Sequence, residues 1–189
     1  FAESLDIDDT KTHRVGWPME YLKSSLDQYK GMKKRNLILF PHRIAPEKQV
    51  DIFRDLKQHL PQYEFIVCQE QQLSKHEYHN LLGEAKLVFS ANLQETLGIS
   101  CYEILRTGGI PFVPNRLSYS EMYEDKFLYP SEWTETWKTY QEHKEEIKER
   151  IIYLMDNFNG NDIQGTINTN RDMLEEQYFS ATNLYQELR

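Results

Sequence analysis

S-A-N-L-Q-E-T-L-G-I-S-C-Y-E-I-L-R-T-G-G-I-P-F-V, from Ser90 to Val113, is the stretch on which the architecture turns. A short apolar strand, Lys86 to Phe89, runs into a polar loop that carries Glu95. A helix opens near Gly98, holds Glu103 in its second turn and stops at Gly108-Gly109. Ile110 to Val113 then form another apolar strand.

The same alternation extends outward in both directions. Leu37 to Phe40 is a continuous apolar run, the mark of a strand buried on both faces. The loop from Pro41 to Lys48 follows, with Pro46 placed to start a helix. Val50, Phe53, Leu56 and Leu60 then recur at helical spacing until Pro61. Tyr63 to Cys68 predicts a second strand and Gln69 to Leu73 a polar loop. Ser74 with Glu77 predicts a capped helix that reaches about Gly83. Beyond Val113, Ser118 and Glu121 suggest a short capped helix, and Lys126 to Tyr129 a strand closed by Pro130. Glu132 to Asn157 reads as one long amphipathic helix, 157–164 as a turn or loop, and Asn170 to Leu188 as a closing helix. Residues 1–14 are polar and patternless, a tail or linker, which leaves 15–189 as a single domain. The fold class is therefore α/β: a Rossmann-like parallel sheet with helices on both faces, whose ligands sit at the carboxyl ends of the strands.

Composition narrows the function. The chain has 189 residues, 39% of them hydrophobic, and a formal net charge of -8. That balance argues against broad binding to nucleic acid or acidic membranes, which calls for a basic surface. Cys68 and Cys101 both fall in apolar elements and do not make a disulfide framework, so a reducing, cytoplasmic setting is expected. No apolar run approaches membrane-spanning length, and no signal peptide is seen. The chain opens at Phe1, and a preceding segment is expected.

Two loops leave strands at the ligand-binding edge and carry chemistry. In the second, first-turn helix amides lack intrahelical acceptors and favour an anion, with Gly98 allowing close approach. Glu103 can reach vicinal hydroxyls such as those of a ribose, and Glu95 a second polyol. An isolated pair of glutamates is more often plain surface charge, but Glu103 is bracketed by Cys101, Tyr102, Ile104 and Leu105, a costly place for an idle carboxylate. In the first loop, Arg43 and Lys48 suit a diphosphate, one as a planar fork and the other as a point charge. Solvated surface charge is the plain alternative, and His42 reads as a structural histidine. Asp6 and Asp8 lie in the tail, and His76 and His79 read as surface residues, so no metal site and no cofactor are expected.

H-R-I-A-P-E-K (42–48), E-T-L-G-I-S-C-Y-E (95–103) and T-G-G-I-P-F-V-P (107–114) together resemble the donor-binding half of retaining GT-B glycosyltransferases, which is the C-terminal half of that fold. The family pattern is Gly-Arg-x-x-x-x-Lys-Gly, then Glu-Gly-Phe-Gly-x-x-x-x-Glu-Ala, then Gly-x-Pro-Val. The resemblance implies that Arg43 and Lys48 bind the diphosphate and offset leaving-group charge. It implies that Glu95 holds the transferred sugar, that Gly98 and Ile99 present amides, and that Glu103 holds the ribose. Thr96 and Leu97 complete the donor site, and Arg43, Lys48 and Glu95 are the catalytic set. The substrate is then a nucleoside-diphosphate sugar, and an N-terminal acceptor domain of the same protein is the partner expected upstream, so the chain alone is expected to be inactive. The last helix, Asp172 to Leu188, is where family members cross back to that domain.

Departures from the pattern stand at His42, Gln49 and Thr96, each where the family has glycine. Gln69 to Gln72 replace a glycine-rich stretch. Pro41-His42-Arg43 and Leu117 to Tyr129 are similar to the branch that includes tRNA-queuosine mannosyltransferases, which brings a nucleic-acid base into view as acceptor. A non-catalytic nucleotide-sugar binding module and a sheet enzyme of the epimerase type are the other readings. The last lacks a recognisable acid/base pair.

Overall fold

The structure is a computed structural model that describes residues 15–188, so the tail expected at 1–14 lies outside the described residues. Its centre is a five-stranded, all-parallel sheet in the order β2-β1-β3-β4-β5. The strands are β1 Arg35–Phe40, β2 Glu64–Val67, β3 Ala85–Phe89, β4 Ile110–Pro114 and β5 Leu128–Tyr129. Leu37, Ile38, Leu39 and Phe40 are wholly buried, as a central parallel strand covered on both faces requires. A chain of aromatic contacts (Phe65, Phe53, Phe89, Phe112, Tyr129) runs across the layer between sheet and helix. Each fully buried ring of this kind contributes on the order of 2 kcal/mol of transfer free energy.

Helix α1 is Glu20–Leu26, α2 is Val50–His59, α3 is Lys75–Glu84 and α4 is Ile99–Arg106. From β1 the chain steps outward through α2 to β2, recrosses through α3 to β3, and continues through α4 to β4. Right-handed crossovers therefore put α2 on one face and α3 and α4 on the other. The direction reverses between β1 and β3, and the loops after those two strands diverge to open a crevice there.

The carboxyl-terminal third departs from the sequence reading. The long helix expected over 132–157 is a 3-10 turn at Ser131–Thr134, then α6 Trp137–Glu142 and α7 Lys144–Asp156, after a short α5 at Tyr119–Met122. The break has a local cause: Thr136 and Thr139 form a reciprocal cap that starts a new helix. His143 then leaves helical geometry at φ -113°, ψ 15°. Trp137, placed on the apolar side, is half exposed. Asn157 to Gly160 do turn, but α8 begins at once and runs Asn161–Gln177, burying Ile163, Ile167, Asn170, Arg171 and Leu174. Asp162 sits in its first turn, where the helix dipole favours a carboxylate. The chain bends at Tyr178 to Ala181 before α9, Thr182–Glu187, so the closing helix is two pieces. Phe179 is buried and stacks on Tyr102 at 4.1 Å, whereas Tyr185 is exposed. Lys126 and Phe127 belong to a 3-10 turn rather than to β5. Arg150 takes the Lys126 and Leu128 carbonyls at 3.1 and 2.9 Å, away from the ladder. Among the described residues no helix is long and apolar enough to cross a membrane.

Candidate functional site

The two loops at the crevice are stitched together by their backbones and by Lys48. The Leu93 amide donates to the Glu47 carbonyl at 2.8 Å, and Gln49 Nε2 donates to the Ala91 carbonyl at 2.6 Å. Lys48, carried on the 3-10 turn Pro46–Lys48, donates through Nζ to the Gln94 carbonyl at 2.5 Å and to Glu95 Oε2 at 3.1 Å. Gln49 explains one family glycine. Its φ of 53° is left-handed, a conformation that disfavours side chains, and Nε2 bonds to Ala91 and Thr134 offset that cost. Gln72 is likewise left-handed, with φ 48°, in the segment that replaces the glycine-rich stretch. His42 and Thr96 have ordinary negative φ, so their departure is one of side-chain volume alone.

Around the stitched loops lie two cavities that share Arg43. One, of about 480 Å³, is lined by Arg43, Lys48, Gln94, Glu95, Thr96 and Leu117. The other, of about 380 Å³, is lined by Pro41, His42, Arg43, Cys68, Gln69, Gln72, Leu73 and Tyr78. Arg43 is exposed on the rim and forms an ion pair with Glu47. Both cations of the sequence reading are thus matched to a carboxylate within the chain.

Glu95 is held from several sides. Its Oε1 accepts from the Thr96 amide at 3.0 Å, and Oε2 accepts from Asn92 Nδ2 at 3.0 Å as well as from Lys48. Burial pushes its pKa up, but the hydrogen bond and charge of Lys48 and the amides of Thr96 and Gly98 outweigh this and hold it below the usual carboxylate range. The anion beside the start of α4 is therefore the chain's own Glu95. Gly98, at φ 62°, makes that start possible, since a Cβ there would lie 2.6 Å from the Tyr119 ring. The Tyr119 hydroxyl accepts from Asn92 Nδ2 at 3.0 Å and lies 3.3 Å from Ser90 Oγ.

Glu103 stands apart. It is on the wall of neither cavity, lying behind Tyr78, whose hydroxyl donates to Glu103 Oε2 at 2.7 Å while its ring lines the smaller cavity. Burial raises the Glu103 pKa, and the Tyr78 hydrogen bond only partly counters it. Leu97 faces a third cavity with Thr96, Trp17 and Tyr178, and Ile99 opens α4.

His42 is buried, edge-on to Phe40 at 5.1 Å, with Nδ1 3.4 Å from Asn92 Nδ2 and 3.5 Å from Ser100 Oγ. Burial, then the nearby Lys48 charge, lower its pKa to about 3, with Glu95 acting in the opposite direction. The imidazole is neutral. His79, expected at the surface, is buried and packs edge-on against Tyr29 at 5.4 Å. His76 remains outside and meets the Tyr29 hydroxyl at 2.9 Å.

Sequence reasoning missed Tyr78, Asn92, Arg116 and Tyr119. Arg116 donates to the Asn92 and Ser131 carbonyls at 2.8 and 3.0 Å and to Thr134 Oγ1 at 2.8 Å, fastening the Glu95 loop to the turn after β5. Tyr78 shares a turn of α3 with the cap that was recognised, but nothing in its spacing marks a polar function.

No protein-family model matches the chain, and no curated protein matches it significantly. Solved structures do. The chain is similar to a glycosyltransferase from Rickettsia africae with TM-score 0.65 and 14% identity, covering 98% of this chain and 57% of that one. It is similar to HepE from Anabaena, solved with UDP and glucose, with TM-score 0.57, 16% identity and coverage of 92% and 54%. The pneumococcal O-GlcNAc transferase GtfA, solved with UDP and GlcNAc, gives TM-score 0.58, 12% identity and coverage of 83% and 35%. The chain thus spans about half or less of the solved chains it matches, and it has the fold of one half of a GT-B glycosyltransferase.

Proposed function

We propose that residues 15–189 form the nucleotide-sugar donor domain of a retaining glycosyltransferase, a hexosyltransferase by class, whose acceptor domain is another part of the same protein. The observation that carries this reading is the convergence of Arg43, Lys48 and Glu95 on one cavity at the point where the sheet reverses direction. Breaking the bond from the anomeric carbon to the diphosphate leaves positive charge on the sugar and negative charge on the departing phosphate. A protein assists by fixing both partners and by presenting preorganised charge to the leaving group. Lys48 and Arg43 are placed to take that charge by exchanging their carboxylate partners for phosphate oxygens. Glu95, released from Lys48, is then an acceptor for the hydroxyls of the transferred sugar. These side chains supply the charge themselves, in keeping with metal-independent transfer in a cytoplasmic setting.

UDP and glucose with HepE, and UDP and GlcNAc with GtfA, support a nucleoside diphosphate as the ligand class. Titration calorimetry with UDP, GDP, ADP and CDP tests the reading. At least one binds, and Lys48→Ala and Glu103→Ala each weaken it by about tenfold, the loss of a charged hydrogen bond. Binding unchanged in both variants overturns the assignment. Transfer to an acceptor requires the second domain, so sugar transfer by this chain alone would refute the two-domain form of the proposal.

A further inference from the structure

A third cavity, of about 560 Å³, adjoins the one that gathers Arg43, Lys48 and Glu95. Thr96 lines both, and the chain passes from one wall to the other between Leu117 and Ser118. That threshold is strained. Leu117 holds a left-handed φ of 57°, which a leucine rarely adopts. Ser120 Oγ donates to its carbonyl at 2.9 Å, and Arg116 beside it is fastened to the Asn92 and Ser131 carbonyls. A strained backbone secured in this way points to a shape that a site requires. We propose that the third cavity is an acceptor subsite on the donor domain, made for an uncharged flat ring joined to the attacking hydroxyl, with Trp17 as its platform. This rests on the donor-domain reading above and adds to it a place and a chemical class for the acceptor.

The walls carry the chemistry of such a group. Trp17, Leu97, Met122 and Tyr178 make them mainly apolar, and Glu121 is the one charged side chain among the described residues that line them. An anion has no cation to meet there and a carboxylate to oppose it, so a neutral ligand is favoured. Trp17 is half exposed, and its backbone is fixed. Its amide donates to the Tyr178 carbonyl at 2.7 Å, and Gly16 before it, at φ 69°, lies so close to the Ser180 carbonyl that a Cβ would sit 2.6 Å away. A large ring held at its root and open to solvent is suited to stacking. Ser118, the cap that the sequence suggests for α5, makes no capping bond, and its hydroxyl has no hydrogen bond among the described residues. A turn about one side-chain bond offers it to a ligand hydroxyl. The place fits the reaction too. In transfer with retention the acceptor oxygen ends on the face of the sugar that the diphosphate oxygen left, so the acceptor has to lie beside the diphosphate. The acceptor oxygen bonds to the anomeric carbon as the carbon–oxygen bond to the diphosphate breaks. The electron pair of that bond and the hydroxyl proton both pass to the diphosphate.

Phenyl β-D-glucoside, methyl β-D-glucoside and phenyl phosphate, titrated into the full chain with a nucleoside diphosphate already saturating, test this by calorimetry and by the indole N–H signals in NMR. Phenyl glucoside is expected to bind about fivefold more tightly than methyl glucoside, the worth of one ring contact. It is also expected to bind more tightly than phenyl phosphate. It should shift the Trp17 signal and leave those of Trp133 and Trp137 in place. Trp17→Ala is expected to bring the two glucosides within about twofold of each other. Trp17→Leu, which also removes the flat ring, serves if that variant does not fold. Equal affinity for the two glucosides in wild type, tighter binding of phenyl phosphate, or a preference that survives loss of the Trp17 ring would each overturn the proposal. An unmoved Trp17 signal would overturn it as well, and would make the cavity a seat for another part of the protein. Displacement of phenyl glucoside by the diphosphate would put it in the donor site, removing the acceptor subsite and leaving the donor reading. If no diphosphate binds, the donor-domain reading falls, and the acceptor role falls with it even where phenyl glucoside still rests on Trp17.

Discussion

Glu95 and Glu103 are the same residue type, with seven residues between them in the loop and helix that follow β3, and their environments drive them in opposite directions. Burial disfavours the charge of both. At Glu95, Lys48 and two backbone amides overcome that penalty and the carboxyl is held low. At Glu103 the Tyr78 phenol and, more weakly, the charge of Lys75 answer it only in part, and the carboxyl is raised. One carboxylate belongs to a compensated ionic cluster of Lys48, Asn92 and the Thr96 amide. The other is a buried carboxylate bound to the Tyr78 hydroxyl between α3 and α4. The difference in surroundings is one that a bare pair of glutamates in the sequence does not reveal.

The comparison can be broken most severely at Gly98, which sets the loop-to-helix junction between the two residues. Gly98→Ala imposes a left-handed alanine and a clash with Tyr119, and should cost about 3 kcal/mol in urea unfolding, the sum of backbone strain and overpacking. Lys48→Ala comes next. It leaves Glu95 unpaired where the two side chains are only 10% and 19% exposed, so a loss of about 2 kcal/mol is expected, below the range for fully buried pairs. Glu103→Gln should change stability at neutral pH by no more than about 1 kcal/mol, or increase it, because it removes a buried charge that Tyr78 and Lys75 offset only in part. Arg43→Ala should be the mildest, within about 0.5 kcal/mol, since its pair with Glu47 is exposed on the arginine side. Its effect should appear instead as weaker diphosphate binding with a shallower dependence on salt.

The pH dependence separates the two carboxylates by sign. The Glu95 contribution is present above the ordinary glutamate pKa of about 4.3 and is lost as pH falls through its lowered value. The Glu103 contribution is present below that ordinary value and is lost as pH rises through its raised one. Unfolding free energies measured from about pH 3 to about pH 8 should therefore show Glu95→Gln flattening the acid limb, and Glu103→Gln flattening the decline above it. Parallel profiles for the two variants would erase the distinction.

Legibility in the sequence followed the physics of each signal. The strands around β1 and β3 were readable because parallel strands covered on both faces must be continuously apolar. The Ser74 cap was readable because a reciprocal cap has a fixed spacing. The helical boundaries after Pro130 were not. The apolar positions continue in helical register across Thr136 and His143, while the break resides in side-chain caps and one backbone angle. Asn-Gly followed by Asn-Asp pointed to a long turn, but Asp162 favours a helix start as strongly as it favours a loop. At the site, Arg43, Lys48, Glu95 and Thr96 do meet around one cavity. Tyr78, Asn92, Arg116 and Tyr119 stayed hidden because their partners lie 24 to 29 residues away in the chain, beyond any local pattern. His79 was misplaced because a histidine on a polar helix carries no mark of the Tyr29 ring that covers it.

The two cysteines lead to a different use of the molecule. Cys101 is wholly enclosed, whereas Cys68 is a buried member of the wall beside Tyr78, and burial lifts both thiols to about 12. The thiolate is the reactive form, so burial slows the reaction of both cysteines with alkylating reagents in the folded chain. Cys68 is then a built-in reporter on the cavity it lines: a ligand seated there should slow its alkylation, while Cys101, wholly enclosed, should stay unaffected.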